Sequence, residues 1–160
     1  MSQDQTSISA ILAQWQRERP DIDASPMAMC GQVWRTSEIL RKKVRANQTK
    51  YDMDSAKSDV IFALRRQGKG KKLSPSELAH EMMLSTSAMT NRLDKLEKTA
   101  LIKRHPDPDD RRGLKISLTQ KGFDLANEMV VTHVSTQAKM LKKLSQAEQK
   151  TLMSLLAKIT

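Results

Sequence analysis

The middle of the chain carries two helix-start signals in close succession. The sequence Ser-Pro-Ser-Glu at residues 74–77 combines a capping box with an early proline, which predicts a short helix ending near Met82 or Met83. Ser85 is a candidate N-cap for a second helix that runs to about Thr99. Helices separated by about three residues have the spacing of a helix-turn-helix. This pair constrains the fold more than any other feature of the sequence.

The second of these helices is predicted to be amphipathic. Met89, Leu93 and Leu96 recur at helical spacing and are expected to pack inward. The other side carries polar residues suited to phosphates or base edges in a major groove. These candidate DNA-binding residues are Ser85, Thr86, Ser87, Thr90, Asn91 and Lys95. The alternative interpretation is an ordinary solvated helix face.

A charged hairpin is predicted directly after the helix pair. Residues 101–105 and 114–118 alternate in the manner of strands, and residues 106–113 between them are rich in turn formers. Arg111 and Arg112 lie in this turn next to Asp109 and Asp110. An arginine gains from the negative potential of a narrow minor groove, and a neighbouring carboxylate can hold its guanidinium in place. The hairpin is therefore interpreted as a DNA-binding wing, with a simple charged turn as the alternative.

Helical periodicity dominates both ends of the chain. The other predicted helices cover about 6–19, 25–47, 54–67, 119–143 and 145 onwards, with Ser25 as the N-cap of the second and Pro26 at its first helical position. The C-terminal helices carry more apolar residues than a chain of 160 residues needs as a monomer. We therefore predict a mainly α fold whose terminal helices build a homodimer.

The overall charge favours a polyanionic partner. Lys and Arg total 28 against 18 Asp and Glu, a formal net charge of +10. The chain has a single cysteine, lacks an apolar stretch near the roughly 20 residues of a membrane span, and shows no signal pattern at its N-terminus. We therefore expect a cytoplasmic protein without membrane contact. No catalytic constellation, cofactor motif or metal-ligand cluster stands out, so an enzyme is not expected.

These motifs together resemble the MarR family of bacterial regulators. The similarity lies in LSPSELA at 73–79, MTNRLDKLE at 89–97, LIKR at 101–104, DPDDRRG at 107–113 and LTQKG at 118–122. The resemblance covers essentially the whole chain and implies a dimeric winged helix-turn-helix. Ala100 stands where the family usually has glycine, so the exit from the second helix is either mildly strained or differently shaped.

Within the family, the chain is most similar to the urate-responsive branch. That resemblance implies a ligand site formed by Trp15, Asp59, Arg92 and Arg104. Such a set suits a planar anion, since the indole can stack on a ring and an arginine can pair with a carboxylate or enolate. A carboxylate that anchors an arginine near the recognition helix would also couple the ligand to DNA binding. The alternatives are a packing tryptophan and structural ion pairs.

The domain organisation follows from the motifs and the resemblance. Residues 1–53 are expected to contribute dimerisation helices and one wall of the ligand pocket, residues 54–118 the DNA-binding domain, and residues 119–160 further dimerisation helices. The expected partner is double-stranded DNA with pseudo-palindromic half-sites about 10 base pairs apart.

The expected function is repression relieved by a small aromatic or phenolic anion, such as urate. A non-specific architectural DNA-binding protein remains an alternative. A redox-responsive regulator using Cys30 is another, although the apolar helical surroundings favour a buried, inert thiol.

Overall fold

The structure, a computed structural model, describes residues 7–82 and 86–159. Within these ranges the chain forms seven helices and one small antiparallel sheet, which confirms the predicted mainly α class. The elements are α1 (Ile8–Glu18), α2 (Ser25–Thr49), α3 (Ser55–Arg66), α4 (Pro75–Glu81), α5 (Thr86–Lys98), β1 (Ile102–Pro106), β2 (Leu114–Leu118), α6 (Gln120–Leu141) and α7 (Gln146–Leu156). None of the described helices is long and apolar enough to span a membrane. The chain divides into two compact units, one ending at Lys43 and the other beginning at Val44.

The first unit consists of α1 and most of α2. Ser7 caps α1 by accepting a hydrogen bond from the Ala10 N–H at 3.1 Å. Ser25 is the first residue of α2 rather than the N-cap that the sequence predicts. Asp23 accepts hydrogen bonds from its N–H at 2.9 Å and its hydroxyl at 2.8 Å, and these bonds lower the pKa of Asp23. The Asp23 carboxylate, two residues upstream, therefore satisfies the N–H group of the first residue of the helix.

The hydrophobic core of the second unit joins α3, α4, α5 and the sheet. The apolar stripe predicted on α5 is confirmed, because it points into this core, and α3 buries a similar stripe. The fully buried residues, each at most 1% exposed, include Val60, Ile61, Leu64, Leu78, Met89, Leu93, Leu96, Ile102 and Ile116. Burying one such side chain contributes about 1.5–3 kcal/mol. This packing fixes which side of α5 faces solvent.

Three predicted helix starts are confirmed by their caps. Ser74 accepts the Glu77 N–H at 3.1 Å, and Glu77 accepts the Ser74 N–H at 2.5 Å, which completes a capping box. Ser145 and Glu148 form the same arrangement at α7. Thr119 caps α6 by accepting the Gly122 N–H at 3.0 Å.

The predicted hairpin forms between β1 and β2, with Arg104 directly opposite Ile116. On the far side of β2, Leu73 donates to the Ile116 carbonyl at 3.0 Å and accepts its N–H at 2.7 Å. One edge of β1 therefore faces away from the hairpin. Ala100, at the exit from α5, has a φ of +56°, the left-handed conformation that the usual glycine adopts more easily.

Candidate nucleic-acid interface and effector site

The solvent-facing side of α5 presents part of the predicted DNA-binding set. Thr90, Asn91 and Lys95 are exposed, while Met89 and Leu93 on the opposite side are buried in the core. Asn91 and Lys95 are four residues apart and share one face of the helix. This face can offer an amide, a hydroxyl and an ammonium group to a groove.

The remaining predicted contacts on α5 belong to its N-terminal end. Ser85 lies outside the described residues, as do the side chains of Thr86 and Ser87. These three therefore stay predictions from the sequence.

The wing tip is organised by carboxylates that bind its backbone. Asp107 accepts the Asp109 N–H at 3.1 Å, and Asp110 accepts the Arg112 N–H at 2.9 Å. The sequence suggests that Asp109 and Asp110 hold the arginine guanidinium groups, but the hydrogen bond that Asp110 accepts comes from the main chain. Arg111 and Arg112 are exposed, and neither forms an ion pair within the described ranges. Both charges are therefore available to an outside anion.

Gly113 allows this tip to close. A Cβ on Gly113 would lie 2.9 Å from the Asp107 Cβ and 3.0 Å from the Asp110 Cβ, closer than such atoms ordinarily approach. The Gly113 N–H donates to the Asp110 carbonyl at 2.9 Å, and the Gly113 carbonyl accepts the Asp107 N–H at 3.0 Å. Glycine thus lets the side chains of Asp107 and Asp110 pack against the main chain of the turn.

Arg104 on β1 is fastened to α5. Its Nη2 donates to Asp94 at 2.6 Å, its Nη1 donates to Glu97, and its backbone N–H donates to the second oxygen of Glu97 at 3.2 Å. The side chain of Arg104 is half-buried. Partial burial alone would lower the pKa of Arg104, but the contacts to Asp94 and Glu97 raise it. This pairing fixes the wing strand to the recognition helix.

Sequence reasoning missed Asp94 and Glu97 as partners of Arg104. Their signal is a pair of carboxylates three residues apart, since residues at this spacing share a helix face. The resemblance pointed instead to Asp59 as an anchor for an arginine. In the structure, the carboxylates that hold Arg104 come from α5.

Asp59 and Arg92 lie near each other in the second unit. Asp59 is on α3 with its side chain at the surface, yet the surrounding protein partly desolvates the carboxylate and raises the pKa of Asp59. The charges of Arg92 and His133 act in the opposite direction, so both residues lie close enough to interact with Asp59. A partly desolvated carboxylate within electrostatic reach of an arginine is a feature typical of functional sites.

His133 is a second residue that the sequence did not single out. It lies on α6, with its ring centroid 5.2 Å from that of Phe62, and its Nδ1 is buried without a hydrogen-bond partner. An unpartnered buried ring nitrogen is unusual, and His133 lies within electrostatic reach of Asp59.

The fourth predicted ligand residue, Trp15, belongs to the first unit. It lies on α1 and is 38% exposed, whereas the other three members of the set belong to the second unit. Cys30 on α2 is exposed, which contradicts the expectation of a buried thiol. In the described part of the chain, no group of three or more His, Cys, Asp or Glu side chains is placed to hold a metal ion.

Comparisons with known proteins agree with this geometry. The MarR family matches residues 51–113. The HTH-type transcriptional regulator PecS of Dickeya dadantii (strain 3937) is 35% identical over 152 residues, which are 95% of this chain and 92% of PecS. PecS is thus similar to this chain across both units.

Solved structures show the same fold. A mutant MarR from E. coli complexed with operator DNA has a TM-score of 0.72 at 20% identity, covering 91% of this chain and 96% of that chain. Another is a structure of Bordetella bronchiseptica BpsR that concerns the regulation of its DNA binding by 6-hydroxynicotinic acid. It has a TM-score of 0.70 at 22% identity, covering 82% of this chain and 97% of that chain. With the sequence match to PecS and the exposed polar face of α5 beside a wing, these findings show that the chain belongs to the MarR family of DNA-binding transcriptional regulators.

Proposed function

We propose that this protein is a homodimeric repressor that binds a pseudo-palindromic operator and leaves it when a small aromatic anion binds. The DNA-binding part rests on two exposed polar and basic surfaces. One carries Asn91 and Lys95 on α5, and the other carries Arg111 and Arg112 on the wing tip. A helix in the major groove with arginines reaching a minor groove is a common docking mode for such domains. The structural similarity to MarR in complex with operator DNA supports the same mode here.

Apolar surface on the C-terminal helices supports the homodimer. Val131 is 70% exposed, Val134 57%, Met153 71%, Leu155 54% and Ile159 69%. A monomeric soluble protein rarely leaves this many large apolar side chains in water on neighbouring segments. Pairing two copies through α6 and α7 would bury them and place two α5 helices on one duplex.

The effector part of the proposal rests on Asp59 and Arg92. A desolvated carboxylate near an arginine offers a polar anchor for a planar anion, which would pair with the guanidinium. The BpsR structure concerns control of DNA binding by 6-hydroxynicotinic acid, itself a small aromatic acid. Trp15 would contribute an aromatic surface, and Arg104 would transmit the change because it links β1 to α5.

Coupling through Arg104 has a physical basis. The guanidinium already has two carboxylate partners on α5, so an anion that draws Arg104 away weakens the link between the wing and the recognition helix. DNA affinity then falls because the wing and α5 no longer hold one fixed geometry.

The DNA-binding part is tested by mobility shifts on the promoter region upstream of its own gene. Wild-type protein should prefer one site over random DNA, and Asn91→Ala should change that preference, since an asparagine can bond adenine in the major groove. Gln32→Ala, which removes an exposed side-chain amide from α2, is the control and should leave the preference intact. Equal binding to every sequence would instead support an architectural protein.

The effector part is tested by thermal shift with urate, salicylate and 6-hydroxynicotinate. A ligand of the proposed site should stabilise the wild type and should stabilise Trp15→Ala and Arg92→Gln less. Equal stabilisation of all three proteins would remove these residues from the ligand site. It would leave the DNA-binding part of the proposal intact.

A further inference from the structure

The wing carries a second basic surface on the face turned away from α5. Successive side chains of a strand point to opposite faces, so Lys103 and His105 lie on the face opposite to Arg104. Lys103 is exposed, and the half-buried His105 has its Nε2 2.9 Å from the Ser117 hydroxyl oxygen. We call the surface of Lys72, Lys103 and His105 the outer wing face.

Two lysines from different segments converge on this face. Lys72 precedes Leu73, the residue that bridges to Ile116 at the far side of β2, whereas Lys103 lies on β1. Partial burial lowers the pKa of His105, and the charges of Lys72 and Lys103 lower it further. Both ammonium groups therefore act on one imidazole ring, although they lie far apart in sequence.

The acids near the outer wing face pair with Lys115, which lies opposite His105 in the hairpin and therefore on the same face. Lys115, a neighbouring lysine on the sheet, lies 3.2 Å from Glu77 and 3.5 Å from Asp107. Across the described stretches of the chain, neither Lys72 nor Lys103 forms an ion pair. The three lysines outnumber the two carboxylates of Glu77 and Asp107, so the face keeps a net positive charge, which favours an anionic partner.

The outer wing face is continuous with the wing tip. β1 ends at Pro106, where the turn that carries Arg111 and Arg112 begins. At about 3.4 Å per residue, Lys103 lies roughly 10 Å along the strand from Pro106. If the tip enters a groove, the next polyanion available to this face is the backbone of the same duplex further out.

We propose that the outer wing face binds phosphates of duplex DNA that flanks the operator, beyond the base pairs reached by α5 and the wing tip. This inference rests on the proposed DNA-binding function and adds Lys72 and Lys103 to the residues that carry it. The contacts are independent of sequence, because phosphates carry no base information. Their contribution is affinity and a larger number of released counterions.

The test compares two duplexes with full-length protein. One is the shortest duplex that retains sequence-specific binding, and the other is extended at each end by about one helical turn, roughly 10 base pairs of random sequence. Wild-type protein should bind the extended duplex several-fold more tightly. If all four lysines of a dimer neutralise a phosphate, the salt dependence should steepen by up to about 3–4 in the logarithmic slope.

Lys72→Gln combined with Lys103→Gln should remove the advantage of the extended duplex and leave binding to the short duplex nearly unchanged. Lys142→Gln with Lys143→Gln removes the same charge from exposed positions after α6 and should retain the advantage. Equal affinity of the wild type for both duplexes would overturn the inference, as would equal loss by the two double variants. Loss of sequence preference in the wild type would instead count against the proposed function itself.

Discussion

Gly122 of α6 lies against the backbone of Leu101 so closely that a Cβ on Gly122 would be 1.9 Å from the Leu101 carbonyl oxygen. This contact joins the start of α6 to the base of the wing. The Leu101 carbonyl also accepts the Thr119 N–H at 3.1 Å, so the obstructing atom is held by a hydrogen bond and by its own main chain. No side-chain rotation relieves such a clash.

Gly122→Ala should therefore destabilise the protein, although alanine is the better helix former by about 1 kcal/mol. Because backbone must move, we expect a loss of more than about 2 kcal/mol in the free energy of unfolding. Chemical denaturation at a fixed protomer concentration measures it. An unchanged or higher midpoint would show that α6 does not pack on Leu101 in this way.

Ala100→Gly should stabilise the protein. Ala100 has a left-handed φ of +56°, which costs an alanine about 1–2 kcal/mol and costs glycine little. The greater freedom of glycine in the unfolded chain offsets part of the gain, so about 0.5–1 kcal/mol should remain. Ala13→Gly, at an exposed position within α1, is the control and should lose about 1 kcal/mol. Thermal unfolding of the two variants should thus move in opposite directions.

Asp59→Asn should stabilise the protein at neutral pH. The folded-state pKa of Asp59 is raised, chiefly by desolvation, so folding disfavours its charged form. The cost is absent below the unfolded pKa, near 3.9, and grows as the pH rises through the folded pKa. Because the side chain is exposed and solvent screens it, we expect a gain of only a few tenths of a kcal/mol, roughly, at pH 7.

Urea titrations of the wild type and Asp59→Asn between pH 4 and pH 7 measure this difference. It should shrink as the pH falls. Asp109→Asn at the exposed wing tip removes the same formal charge and should not reproduce the gain. A difference that grows toward low pH would reverse the sign and contradict the assigned environment of Asp59.

Glu97→Gln should weaken the link between α5 and β1. Glu97 accepts both the guanidinium and the backbone N–H of Arg104, and glutamine keeps one acceptor without the charge. Since the carboxylate is partly exposed, we expect a loss of about 1 kcal/mol in stability. A double-mutant cycle with Arg104→Met isolates the pair and should give a coupling of at least about 0.5 kcal/mol. Additive losses would show that the contact contributes nothing.

Local signals in the sequence were enough to predict most helices and the wing. The caps at Ser74, Thr119 and Ser145 are short-range arrangements, so residue type and spacing reveal them directly. Ser25 was harder to place, because an N-cap accepts an N–H from further along the helix, whereas Ser25 donates its own N–H and hydroxyl to Asp23. The buried apolar faces of the helices were equally predictable, since helical periodicity determines which residues share a face.

The candidate site was less predictable, because its contacts join distant segments. The partner of Arg104 depends on how β1 lies against α5, and no local pattern reports that angle. Cys30 shows a related limit: α2 has an apolar sequence around it, yet only Asn47 and Gln48 of this helix are buried. An amphipathic sequence predicts that a helix has an apolar face to bury. It does not predict whether the same chain or another molecule buries that face.

The free edge of β1 bears on how these molecules behave when many gather on one duplex. Its backbone offers little to another strand, because Glu97 already occupies the N–H of Arg104 and Pro106 has no N–H to give. The β1 strands of adjacent molecules are thus poorly suited to pair with each other and form a continuous sheet. Neighbouring copies on one duplex should therefore not associate through strand pairing at this edge.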